Sequence, residues 1–207
     1  MTGFARTLLI GSLVAGFAVA NAQSVLNTGT AVGVPVVSEP TLTIIDSIIS
    51  PYNTATIDGT VTSIVAKSAA TGDNLIFAYI INSAGTSTSS VGRFTTTGWD
   101  GWSSSVAQHF PGASTTNVTS TTATRFDSDV LGFNFDQVGP NALGPNATST
   151  VFWALSDATS YTSSIGNVID GSIAQVTTFA PVPEPGLMLA AGAGIAALAA
   201  RRRKKQA

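Results

Sequence analysis

Cysteine is absent from the 207 residues, and only one histidine, His109, is present. No disulfide can brace the fold, no thiolate can bind zinc or attack a carbonyl, and no His-rich metal centre can form. Charge is scarce as well. Asp, Glu, Lys and Arg make up 10% of the chain, and the formal net charge is -2. That balance leaves no basic footprint, so no nucleic-acid partner is expected. Residues 23–181 contain no helical period sustained over ten residues. They also contain no Gly-x-Ser-x-Gly elbow of the kind that exposes a nucleophilic serine.

The little charge there is lies unevenly. Arg6 stands near the start, and Arg201, Arg202, Arg203, Lys204 and Lys205 stand at the end. Residues 23–181 hold ten acidic residues against Lys67, Arg93 and Arg125, a net of -7. The central region is therefore acidic, and the near-neutral average comes from the ends.

The N-terminus has three parts. Met1–Thr7 carries one positive charge, Leu8–Ala20 is apolar, and Ala20-Asn21-Ala22 is a small-x-small site. This is the layout of a secretory signal peptide, with cleavage expected after Ala22 to leave Gln23 first. The apolar run is short for a bilayer core of roughly 30 Å. Export through the Sec translocon follows. No cysteine stands after the site, which argues against a lipoprotein.

The C-terminus is more specific. Pro181-Val182-Pro183-Glu184-Pro185 precedes Gly186, an apolar run Leu187–Ala200 and five consecutive basic residues, Arg201–Lys205. Prolines cannot continue a helix and favour extended, exposed chain, the form that a processing enzyme grips. The apolar run would span roughly 21 Å as a helix, and Lys and Arg stems can make up part of the mismatch by snorkelling. The basic block stays cytoplasmic by the positive-inside rule, which puts the central domain outside.

This tail resembles the PEP-CTERM sorting signal of Gram-negative bacteria. The matching positions are Val182, Pro183, Glu184 and Pro185 for the motif, Leu187–Ala200 for the membrane helix, and Arg201, Arg202, Arg203, Lys204 and Lys205 for the basic stop. The resemblance implies a substrate of an exosortase, a membrane enzyme that processes such tails, and a link to exopolysaccharide and biofilm matrix. Glu184 is then an element read by another enzyme, not a catalytic acid of this chain. The order of features in the central region, from Leu75–Asn82 to Val168-Ile169-Asp170-Gly171, loosely resembles other secreted proteins with this tail. That likeness bears only on the fold.

In residues 23–181 Ser and Thr number 48, and Thr favours strands over helix interiors. Expected strands are Leu42–Ile49, Thr56–Ala66, Asn74–Asn82, Val91–Thr97, Ser105–Phe110, Val130–Asp136, Ser149–Leu155 and Ala174–Phe179. Leu131, Phe133 and Phe135 alternate onto one face, and Leu75–Ile81 is apolar on both, so it should be central. Pro51-Tyr52-Asn53, Gly72-Asp73 and Gly139-Pro140-Asn141 read as turns. The hydroxyl-rich run 112–124 reads as a loop, with an edge strand as the alternative. The expected fold is all-β: an antiparallel β-sandwich, jelly-roll or Ig-like, flanked by an N-terminal signal helix and a C-terminal transmembrane helix. The domains expected are 1–22, 23–180 and 181–207.

Three groups of residues could carry chemistry. Trp99, Asp100 and Trp102 put two aromatics and a carboxylate beside a turn, a pattern that can stack on sugar rings and accept sugar hydroxyls; the alternative is that the rings belong to the core. Asp127, Asp129 and Asp136 are hard oxygen ligands of a kind that suits Ca²⁺, although the EF-hand spacing is missing and Arg125 could pair with one of them. His109, before Phe110-Pro111-Gly112, is expected at the surface or in a turn, and a hydrolase would need it beside a Ser and an Asp. The expectation is a non-enzymatic matrix or surface protein without a cofactor, released by an exosortase after transient anchoring in the inner membrane. A carbohydrate-binding module for exopolysaccharide comes second, and a secreted hydrolase third.

Overall fold

A computed structural model describes residues 23–38, 40–112 and 116–182 of the chain. The described residues form strands and turns and no helix. In chain order the strands are β1 (Ser24–Val25), β2 (Thr30–Gly33), β3 (Thr43–Asn53), β4 (Asp58–Lys67), β5 (Ile76–Ser83) and β6 (Arg93–Thr96). They continue as β7 (Ser104–His109), β8 (Thr122–Arg125), β9 (Leu131–Asn134), β10 (Val151–Ser156), β11 (Ser160–Ile169) and β12 (Ile173–Val182). Two six-stranded sheets result, in the orders β1-β7-β10-β5-β4-β3 and β12-β11-β6-β9-β8-β2. Every strand pairing within them is antiparallel.

The sheets face each other over one core. Phe77, Tyr79 and Phe152 reach in from the first sheet, and Phe94, Phe133 and Phe179 from the second. Rings meet across the gap: Tyr79 lies 5.0 Å from Phe94, and Phe133 lies 4.7 Å from Phe152, both tilted. Such pairs add about 0.5–1.5 kcal/mol each beyond the area they bury. With no disulfide, this aromatic layer carries the stability. Leu131, Phe133 and Phe135 are all buried, as their alternation requires.

β5 and β10 are central in the first sheet and apolar on both faces for that reason. Their outward residues Ile76, Ala78, Val151 and Trp153 form a second buried cluster with Ala107, packed against Val37 and Leu42. Trp153 stands between Ala78 and Ala107 on the neighbouring strands, small partners that make room for an indole.

Four departures from the sequence reading have physical causes. Pro51 lies inside β3 rather than in a turn. β3 is an edge strand, where a residue without an N–H forfeits no ladder bond. β11 was not expected at all, because Ser, Thr, Gly and Asn fill most of it and only Ile165, Val168 and Ile169 are aliphatic. β8 emerges from the end of the hydroxyl-rich run, flanked on both sides by β2 and β9, so it is an interior strand rather than an edge. His109 is buried, 4% exposed, at the end of β7 opposite Val151. The strand continues to it, so it is not a surface histidine.

One side of the sandwich is closed by hydroxyls rather than by a ladder. β3 ends the first sheet and β12 ends the second, and they run beside each other. Ser50 Oγ donates to Thr177 O at 2.9 Å, Tyr79 Oη donates to Phe179 O at 3.3 Å, and Phe179 N donates to Ser63 Oγ at 3.1 Å. These bonds satisfy the backbone groups that an open edge would leave exposed for pairing with another chain.

Candidate functional site

The loops at one end of the sandwich gather most of the sequence-selected residues. β10 ends at Ser156 and β11 begins at Ser160, which pairs with Val182 at the end of β12. Asp157, in the link between them, accepts a hydrogen bond from Ser103 N at 3.0 Å. Ser103 follows Trp102 and precedes β7. The turn Trp99-Asp100-Gly101-Trp102 therefore sits at the same end as the last residue of β12.

Within that turn the two tryptophans separate. Trp99 has no exposed surface and packs edge-on against Phe77 at 5.4 Å. A ring with no open face cannot stack on a sugar, so Trp99 serves the core. Trp102 is half-buried and Asp100 is exposed. Gly101, at φ 80°, occupies the left-handed region that the tight turn needs and that glycine enters without strain. Trp102 N closes the turn onto Trp99 O at 3.1 Å.

Arg125 holds this turn in place. The residue is 5% exposed. Its Nη2 donates to Trp99 O at 2.6 Å and to Ser128 O at 2.9 Å. Its Nη1 donates to Trp102 O at 2.7 Å and to Ser104 Oγ at 3.3 Å, and Nε reaches Ser128 O at 3.1 Å. The guanidinium fork thus ties the tryptophan turn to the loop after β8. The sequence left open that Arg125 pairs with an aspartate. It binds carbonyls instead, and the one ion pair found among the described residues is Lys67–Asp73 at 3.3 Å, on the surface. Sequence reasoning missed this role because three carbonyl acceptors carry no side-chain signature.

The aspartates proposed for calcium do not converge. Asp127 Oδ1 accepts from Asp129 N at 3.1 Å, an Asx turn, and Asp129 Oδ1 accepts from Gly98 N at 2.9 Å. Asp136 lies away from them, bridging to Ala142. Among the described residues no three His, Cys, Asp or Glu side chains come together as a metal set. Oxygens committed to backbone N–H groups explain why this cluster reads as a turn rather than a cage.

Beside the turn opens a cleft of about 330 Å³, lined among others by Asn27, Asp100, Trp102, Ser103, Arg125 and Ser128. It offers one partly exposed indole, one free carboxylate and several hydroxyl and amide groups. That set can stack on and hydrogen-bond to a polar ring.

Of the processing residues, Val182 is the last residue of β12, and Pro181 before it pairs with Tyr161. Gln23 lies just before β1 and accepts from Ser105 Oγ. Ala20, Ala22, Pro183, Glu184, Pro185, Leu187–Ala200, Arg201, Arg202, Arg203, Lys204 and Lys205 lie outside the described residues. No described helix is long and apolar enough to cross a membrane.

Residues 181–204 match the family model of the PEP-CTERM protein-sorting motif. The match begins on the last two residues of β12, so the sorting signal and the sandwich share a strand end. This motif marks the chain for exosortase processing and for export to the cell surface. No curated protein and no solved structure matches the chain.

Proposed function

We propose that this protein is a non-enzymatic surface or matrix component, delivered as a membrane-held precursor and released by cutting of its tail. The chain is exported through the Sec translocon, and hydrolysis of the peptide bond after Ala22 removes residues 1–22. The run Leu187–Ala200 and the basic block Arg201–Lys205 hold the chain at the inner membrane. An exosortase then acts near Pro183-Glu184-Pro185 and frees the acidic sandwich into the exopolysaccharide matrix. The observation that carries this is the sorting-motif match starting where β12 stops. A folded body that ends at Val182, followed in sequence by Pro183-Glu184-Pro185, offers a cut that leaves the fold behind. Replacing Glu184 with Ala should leave tailed, membrane-held precursor, seen as the larger species in membrane fractions by immunoblot. Unchanged release of that variant would sink this reading.

A second reading is favoured by the half-buried indole of Trp102 in its cleft: a carbohydrate-binding module for the cell's exopolysaccharide. Its test is a polysaccharide pull-down in which Trp102→Ala and Asp100→Ala should lose retention while unfolding at the same urea concentration as the parent. Equal retention by parent and variants excludes the cleft. The hydrolase alternative has less support, because His109 is buried at a strand end and lies outside the lining of this cleft.

We also read the sandwich as Ig-like rather than jelly-roll. The support is strand order. β4-β5-β10-β7 in one sheet and β6-β11-β12 in the other follow the A-B-E-D and C-F-G arrangement, with β8 and β9 inserted between the fourth and fifth strands.

A further inference from the structure

We propose that the Trp102 cleft is covered by the membrane while the chain is tethered, and that cutting the tail uncovers it. This rests on the tethering proposed above and adds a consequence for when the cleft can bind.

Distance carries the argument. Val182, the last strand residue, pairs with Ser160, and four residues, Pro183–Gly186, separate it from the apolar run at Leu187. At about 3.6 Å per residue, those four reach no more than about 14 Å. The interfacial layer of one leaflet takes up roughly 5–7 Å of that reach. The end of β12 is thus held within about 10 Å of the headgroups.

The strand cannot lengthen the tether by unzipping far. Phe179 is gripped through both backbone groups, its N–H by Ser63 and its carbonyl by Tyr79, and its ring is buried in the core. Ala180 is 1% exposed and abuts Gly98 so closely that a Cβ on that glycine would lie 2.7 Å from the Ala180 methyl. Fraying therefore stops at Pro181 and Val182, which adds about 7 Å at most, and the tethered end of the sandwich stays within about 17 Å of the headgroups.

The cleft lies at this same end. Ser103, on its rim, is bound to Asp157, in the link that starts β11 beside Val182. The opposite end is about 30 Å higher, the length of β12's ten residues at ~3.4 Å each. That far end carries Val138, 84% exposed. A polymeric ligand reaches the far end of a tethered chain more freely than a cleft at the membrane-proximal end.

The chain has no cysteine, so single cysteines report position without background. Full-length Asp100→Cys and Val138→Cys proteins are placed in phosphatidylethanolamine/phosphatidylglycerol vesicles with the domain outward. They are then labelled with a bulky polyethylene-glycol maleimide and, separately, with a small maleimide. The small reagent should label both positions at similar rates. The bulky one should label position 100 severalfold more slowly than position 138, because position 100 lies at the tethered end of the sandwich and position 138 at the far end. Inserting a long Gly/Ser spacer between Val182 and Pro183 should restore labelling at position 100. Equal bulky labelling of the two positions on vesicle-bound protein overturns the masking proposal and leaves tethering intact. Protein that does not float with the vesicles overturns both. Slow labelling that the spacer fails to relieve also overturns masking, because the protection then belongs to the fold.

Discussion

Arg125 is the side chain on which the candidate site depends most. Its guanidinium satisfies the carbonyls of Trp99, Trp102 and Ser128 in a largely buried place on the wall of the cleft. Methionine would keep much of the stem and leave the Trp102 and Ser128 carbonyls without the guanidinium, while Trp99 O keeps its bond from Trp102 N, at about 1–3 kcal/mol for each group stranded. Arg125→Met should therefore lower stability by roughly 2–4 kcal/mol in urea unfolding. Lysine keeps the charge but not the fork, so Arg125→Lys should recover only part of that loss. A change within about 0.5 kcal/mol for the methionine variant would mean that the turn is held by other contacts. The two tryptophans make the complementary case. Trp99→Ala removes a fully buried ring and should cost about 3–5 kcal/mol, while Trp102→Ala, at a half-buried position, should cost far less. Sequence could not rank them, since both flank the same Asp-Gly pair. What separates them is Phe77, brought against Trp99 by a strand more than twenty residues earlier in the chain.

At the scale of the strand, β12 joins the fold to the sorting signal, and the hydroxyl of Tyr79 helps to fix it. Burial raises the Tyr79 phenol well above its ordinary range, and burial pushes Tyr52 up to about 12. Both stay protonated in the folded chain beyond pH ~10, where an unfolded tyrosine ionises. Above that pH the folded state binds more protons than the unfolded state. Their contribution is thus complete below pH ~10 and is lost as pH climbs through about 12. Urea midpoints measured from pH 8 to 12 should fall at the alkaline end, and Tyr79→Phe should flatten that fall while costing about 1 kcal/mol at neutral pH. An equally steep alkaline fall in Tyr79→Phe would assign it to other groups. The strands that sequence revealed are those with aliphatic or aromatic alternation, such as β5, β9 and β10. β8 and β11 stayed hidden because Thr and Ser suit exposed loops and strands alike. Each pairs on one side with a distant strand, Thr122 with Gly33 and Gly166 with Thr96, and on the other with a strand nearby in the chain. Of the site, the end at which loops gather follows from the topology and not from any local motif.

For the whole molecule, the question is whether the sandwich stands without its two ends. Core residues Val176, Phe179 and Ala180 lie on β12, so the fold needs the chain up to Val182. Everything before Gln23 and after Val182 lies outside the described residues. Residues 23–182 alone should then unfold in one cooperative transition, with near-UV circular dichroism from the packed Trp99 and Trp153. A chain ending at Asp170 loses a ten-residue strand and the closure of β3 by Ser50. It should lack the near-UV signal and expose apolar surface to a hydrophobic dye. If both truncations gave the same sharp transition, β12 would be an appendage, and the coincidence of strand end and sorting motif would carry no meaning. If only the longer one does, cutting is harmless on one side of Val182 and ruinous on the other. The fold then limits where a processing enzyme can act: a cut beyond Val182 spares β12, while at Phe179 the backbone is already bound by Ser63 and Tyr79.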